Sequence, residues 1–256
     1  SDGRYAHADA WGERRWSTPA IAIDGRLACT QLSLLNAGLE ELLDYSYRES
    51  RPAEADELIT YDPNGNPISA FHPWNSKAKT GRASNPRAYS WGSSLTWRGH
   101  GFEVGAYARL YLTALAKKAQ PSSFLAATGA GLRFVLPTTQ GHTIELEWQV
   151  PTVWNTFERN RARAYGLAFS VAVTLENIAI AQQLVRTNET KTSVPLKNDR
   201  AGRHLGVGLW GASRGFLAHW AIITDHVIRN YQIAIPSRIT WAPVRRRARS
   251  AHWRGR

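Results

Sequence analysis

Residues 206–237 contain the side chain that is hardest to explain as scaffold. The stretch reads GVGLWGASRGFLAHWAIITDHVIRNYQIAIPS. Apolar, β-prone runs flank a Gly-Ala-Ser-Arg-Gly turn, and Arg214 is the lone charged residue between Gly206 and Thr224. Two readings stand. Arg214 is a solvated cation on a surface turn, or its guanidinium is aimed into a site where the backbone approaches closely and glycines make room. Five residues on, His219 lies inside an apolar run and reads as a satisfied core histidine. His72, alone before Pro73, reads as a structural hydrogen-bonder rather than a ligand. Cys29 is the single cysteine, so no disulfide forms within the chain and no Cys-rich metal site exists. In its apolar setting it reads as a small buried hydrophobe.

These residues need elements to hold them. Ile21–Ile23 and Leu27–Thr30 around Asp24-Gly25 predict a β-hairpin, because Asp-Gly favours the positive-φ turn that matches strand twist. Leu32, Leu35, Leu39, Leu42 and Leu43 recur at helical spacing and predict an amphipathic helix over 31–48. Residues 50–101 read as a long polar connection, dense in turn chemistry at Asp62-Pro63-Asn64-Gly65. A helix is expected over 102–118, carrying Glu103 and Arg109, which are too far apart to face each other on it. There the plain reading is a capping carboxylate and a surface arginine. Residues 132–136 and 144–150 look like strands. Thr152 is expected to cap a helix from Val153 to about Val185, whose second half is apolar on nearly all sides and should be buried in the domain centre. Residues 186–203 read as a polar linker. Leu205–Trp210, Leu217–Thr224 and Val227–Ile235 form an antiparallel meander.

Composition narrows the classes. Hydrophobic residues make up 43% and charged residues 20%, ordinary for a globular chain of 256 residues. The eleven tryptophans are not spaced as a sugar platform, and no acidic pair suggests a glycosidase. The net charge is +12, but the arginines of residues 238–256 account for seven and leave +5 for the remainder. That basic tail is an arm for phosphates or anionic lipid, a disordered end, or an out-of-frame translation of GC-rich DNA. No signal peptide is visible, and the longest apolar run, Ala164–Leu175, is too short to span a bilayer.

Several unusual residues at fixed spacing carry a resemblance. Gly206, Gly208, Ala212, Arg214, Gly215, Leu217, His219, Trp220, Asn230, Tyr231, Gln232, Pro236 and Ser237 resemble the C-terminal part of the large subunit of nickel-iron hydrogenases. Ser213 stands where that family commonly has proline. His72-Pro73-Trp74, Tyr89-Ser90-Trp91, the run Glu103-Val104-Gly105 with Ala108-Arg109, and the Glu158–Ala164 segment resemble further family motifs. The details LTWRGH and ERNRAR are nearer to the actinobacterial, hydrogen-scavenging branch. The resemblance covers roughly residues 16–237 and stops abruptly there, which favours the out-of-frame reading of the tail.

The resemblance implies a centre of nickel and iron bridged by thiolates of two Cys-x-x-Cys motifs, with carbonyl and cyanide on the iron. Hydrogen is split there, and electrons leave through an iron-sulfur small subunit. This chain has neither motif. By resemblance, Arg214 is the arginine suspended over the metals. Ser213 and Arg214 would contact one cyanide, and Ile235, Pro236 and Ser237 the other. Glu103, Arg109 and His219 would buttress the pocket, Glu103 alternatively relaying protons. A free arginine is a poor base and would need a carboxylate partner.

The expected fold is α+β, with a mainly helical core, one long buried helix and the C-terminal meander, over residues 1–237. The expected function is that of a catalytic-subunit fragment, inactive alone and binding no cofactor itself. Its expected partners are the iron-sulfur small subunit and H2, in a hetero-oligomer without nucleic acid or a transmembrane segment. Its expected location is cytoplasmic, or membrane-associated through partners. The alternative is a non-catalytic basic protein that binds nucleic acid through its tail.

Overall fold

The computed structural model describes residues 20–42, 46, 49–52, 58–79, 86–89, 92–116, 124–153, 155–190, 193, 201–212 and 214–241. Residues 1–19, most of the linker after 190 and the tail beyond 241 lie outside the described residues, so the tail expectations are not addressed there. The described residues form two compact units. One takes residues up to Ala108 and again from Ala201 onward, and the other takes those between Arg109 and Ser193.

The first unit opens with β1 (Ile21–Ile23) and β2 (Arg26–Cys29), paired antiparallel around Asp24-Gly25 as expected. Both turn residues have positive φ, 48° and 76°. The expected helix over 31–48 is corrected: α1 runs only Leu32–Ala37. At Gly38 a Cβ would overlap the Trp97 ring, so only glycine fits where α1 ends. It continues as β3 (Leu39–Leu42), whose alternating Leu39 and Glu41 point inward. The leucine spacing suited a helix, but pairing across the sheet overrides it.

The long polar connection is also corrected, because it contains strands. β4 (Glu49–Pro52) pairs with β5 (Ser76–Lys79), while β6 (Ser94–Trp97) lies between β3 and β7 (His100–Gly101). α2 (Ala106–Ala116) starts later than expected, leaving Glu103 on an extended loop before it.

In the second unit β8 (Leu125–Ala127), β9 (Gly131–Pro137) and β10 (Thr143–Gln149) form one antiparallel sheet with β9 central. The long α3 (Thr156–Arg186) packs against β9. Its cap is Asn155 rather than Thr152, the Asn155 side chain accepting from the Glu158 N–H at 3.0 Å. Ala162, Gly166, Phe169 and Ala172 form its buried stripe. Phe169 meets Phe134 edge-on at 6.2 Å.

The expectation that the second half of α3 is buried is overturned. Every residue from Asn177 to Arg186 is exposed, including Ile178, Ile180, Leu184 and Val185. The reason is simple: the apolar surface is there, but among the described residues no element covers it. By length and composition α3 could cross a membrane, which the apolar run alone had not suggested, and only 17% of its apolar window is buried.

The first unit is completed by the meander: β11 (Arg203–Ala212), β12 (Gly215–Thr224) and β13 (Val227–Ala234), then the short α4 (Pro236–Trp241). The three strands pair in chain order, with positive-φ Asp225 and His226 in the second turn. Ala218, Trp220, Ile222 and Ala234 face a core shared with Leu35, Leu39, Trp74 and Trp97. The fold is therefore α+β, but strand at 37% outweighs helix at 29%, and the core is not mainly helical.

Candidate functional site

The hairpin between β11 and β12 closes tightly, Ala212 opposite Gly215, so Arg214 stands at its tip and is exposed. Gly215 has φ 148°, and a Cβ there would lie 2.6 Å from Val104 Cγ2 and 3.2 Å from Pro236 Cβ. Gly105, at φ 123°, would place a Cβ 3.6 Å from the Arg214 carbonyl. These glycines have a steric reason: three chain segments converge where no side chain fits. They are the loop Glu103–Gly105, the tip Arg214–Gly215 and the start of α4 at Pro236.

The structure thus gathers most of the residues singled out in the sequence. Ile235 and Ser237, on either side of Pro236, are both exposed, and so is Glu103. Ser213 lies outside the described residues. Arg109 is half-buried on the part of α2 that belongs to the second unit, and burial lowers its pKa. His219 is not a core histidine. It points to the face of the meander opposite Trp220, half-buried, with Nδ1 2.6 Å from the Tyr231 hydroxyl. The strand alternation explains this, since Ala218 and Trp220 take the inward positions.

Beneath the meander runs a strap, residues 69–76, which the sequence had marked through His72 and the His72-Pro73-Trp74 motif. His72 is fully buried and makes the structural hydrogen bonds expected of it. The Trp74 N–H donates to its Nδ1 at 3.2 Å, so Nδ1 is the acceptor and Nε2 carries the proton toward the Asn36 carbonyl, 3.0 Å away. Burial, opposed weakly by that carbonyl and by Asp62, pushes the His72 pKa down to about 4. The Asn36 side chain accepts from the Trp220 indole N–H at 2.7 Å. Asn75 spans Ile59 and Ser69. Trp74, Asn230 and Gln232 extend the network to β11 and β13.

Whether this chain could hold a nickel-iron centre turns on its donors. Cys29 is buried, its Sγ donates to the Gln31 carbonyl, and burial pushes its thiol pKa up, which disfavours the thiolate that binds metal. Among the described residues no three His, Cys, Asp or Glu side chains form a group that could hold a metal ion. The residues present do not fit that centre.

A family model for nickel-dependent hydrogenase matches residues 38–252. The chain belongs to the nickel-dependent hydrogenase family. It is 23% identical over 237 residues to the uptake hydrogenase large subunit of Rhodobacter capsulatus, covering 85% of this chain and 37% of that protein. It is 26% identical to the hydrogenase-2 large chain of Escherichia coli K12, covering 80% of this chain and 32% of that protein. Among solved structures, the actinobacterial-type nickel-iron hydrogenase from Ralstonia eutropha H16 superposes with a TM-score of 0.76 at 29% identity, covering 93% of this chain and 44% of that one. The chain therefore spans well under half the length of the relatives it matches.

Proposed function

We propose that this chain is part of the catalytic large subunit of a hydrogen-oxidising nickel-iron hydrogenase, the part that shapes the surroundings of the metal centre. The observation that supports this most is the convergence of Glu103–Gly105, Arg214–Gly215 and Pro236. Family motifs more than a hundred residues apart in sequence meet at one place, and glycines there leave room for backbone to come close. Arg214 supplies a permanent cation at a hairpin tip, suited to anionic or polarised ligands. Ser213, Ile235 and Ser237 are proposed to contact diatomic ligands of the metals, Ser237 through its hydroxyl. Glu103 and His219 support the pocket walls.

The ligands of the centre itself belong to polypeptide that this chain does not span. The whole enzyme's substrate, H2, and its iron-sulfur small subunit are proposed on the same grounds, together with a cytoplasmic or partner-mediated membrane location.

The test is direct. The purified chain, given nickel and iron under reducing conditions, should retain nickel far below one per chain and catalyse no hydrogen-dependent dye reduction. Nickel at one per chain together with such reduction would overturn the proposal that the metal ligands lie elsewhere. If reading the flanking DNA in all frames finds no Cys-x-x-Cys on either side, the large-subunit proposal falls.

A further inference from the structure

We propose that the strap 69–76 and the inward amides of β13 form one positioning clamp, in which Asn230 and Gln232 fix where Ile235–Ser237 sits against the Arg214 turn. This rests on the reading of those residues as site residues, but its test does not depend on metal.

The clamp grips all three strands of the meander. On β11, the Gly206 carbonyl accepts from the Trp74 indole N–H at 3.0 Å. On β12, Trp220 donates to Asn36 at 2.7 Å, and the Asn36 carbonyl lies 3.0 Å from His72 Nε2. On β13, Asn230 Nδ2 donates to the Trp74 carbonyl at 2.9 Å, and Gln232 Nε2 donates to the Ser76 carbonyl at 2.6 Å.

Both amides of β13 converge on one buried carbonyl: Ser76 accepts from Gln232 Nε2 at 2.6 Å and from Asn230 Nδ2 at 3.3 Å. The Gln232 bond is the shorter, and losing a buried hydrogen bond costs about 1–3 kcal/mol, so the pair favours one height of β13 over its neighbours.

The strap is rigid enough to set that height. The His72 carbonyl accepts from the N–H groups of Asn75 and Ser76, and the Phe71 carbonyl accepts from the Glu41 N–H. Asn75 ties it on both sides to Ile59 and Ser69. From Gln232 to Ile235 is roughly 10 Å of extended strand, with no intervening loop to absorb a shift. Immediately beyond, Pro236 and the Val104 side chain both border the space over Gly215. A displaced β13 would therefore move the Ile235–Ser237 turn relative to Arg214.

The experiment is site-resolved amide hydrogen exchange on the full chain. Gln232→Met keeps the volume and removes the donor. It should speed exchange at Gly215 and at the laddered amides of β13 roughly tenfold to a hundredfold, as expected for one lost buried hydrogen bond opening a local unit. Exchange in the middle of β11 and β12 should be unchanged. A control, Leu95→Ala, removes apolar core contact in the same unit and should instead raise exchange evenly across it. An even rise in Gln232→Met, or no change along β13, overturns the clamp. If Gln232→Met does not fold, Trp74→Phe loses the Gly206 bond while keeping an aromatic ring, and must loosen the same residues.

Discussion

His72 is the residue whose protonation state the fold has committed. Its Nδ1 accepts, its Nε2 donates, and the ring has no exposed surface. With its pKa at about 4 in the folded chain and 6.5 as the ordinary value, the unfolded chain binds the extra proton between those pH values. Stability conferred by His72 is therefore fully present above about pH 6.5 and falls as pH drops toward 4. The shift corresponds to about 3 kcal/mol. Equilibrium denaturation should show that loss in the wild type, and His72→Gln should flatten the slope between pH 6.5 and 4. A slope that survives the substitution would assign the effect to other groups.

At the scale of elements, the Arg214 hairpin depends on the absence of one methyl group. Gly215→Ala combines a positive-φ backbone with overlap against Val104. It should destabilise by about 1–3 kcal/mol, measured by thermal denaturation. Val104→Ala in the same chain should recover part of that loss, since the overlap is with its Cγ2; strict additivity of the two changes would refute the contact. The meander and the first hairpin were legible in the sequence, because alternation and Asp-Gly are local signals, whereas the grouping of Arg214 with Pro236 came only from the family resemblance. What was not legible was long-range. Leu39 and Leu42 fit a helix by spacing, yet Gly38 gives way to the Trp97 ring and the chain pairs with β6. The strands within residues 50–101 are short and polar, and their reason for existing lies in partners far along the chain. The same is true of Gln232, which reads as an ordinary strand residue until the Ser76 carbonyl is seen beside it.

For the whole molecule the telling feature is α3. One stripe packs on the β8–β10 sheet, while Leu167, Val171, Ile178 and Val185 lie on the opposite side and are exposed by 68%, 53%, 50% and 65%. A helix with apolar residues on opposite sides is suited to a larger core or to a membrane. The chain spans 37% of the Rhodobacter large subunit, so most of that protein has no counterpart here. The chain by itself should therefore self-associate, and sedimentation at rising concentration should show it. Val171→Glu with Ile178→Glu should suppress association while circular dichroism keeps its helical signal. A monomer at all concentrations would mean that this face is covered in a way the described residues do not reveal.

The hydrogen bonds that join strap and meander also set an order of events. Trp74 reaches Gly206 across 132 residues, Gln232 reaches Ser76 across 156, and Trp220 reaches Asn36 across 184. The second unit lies between these partners in the chain. During synthesis the strap emerges long before the meander exists for it to hold, and β3 and β6 wait with an uncovered apolar face. Pairings of such separation form slowly, because loop closure comes before any contact repays it. The first unit is thus closed by its last strand to be made, and a ribosome that stops before Gln232 releases a chain with its core still open.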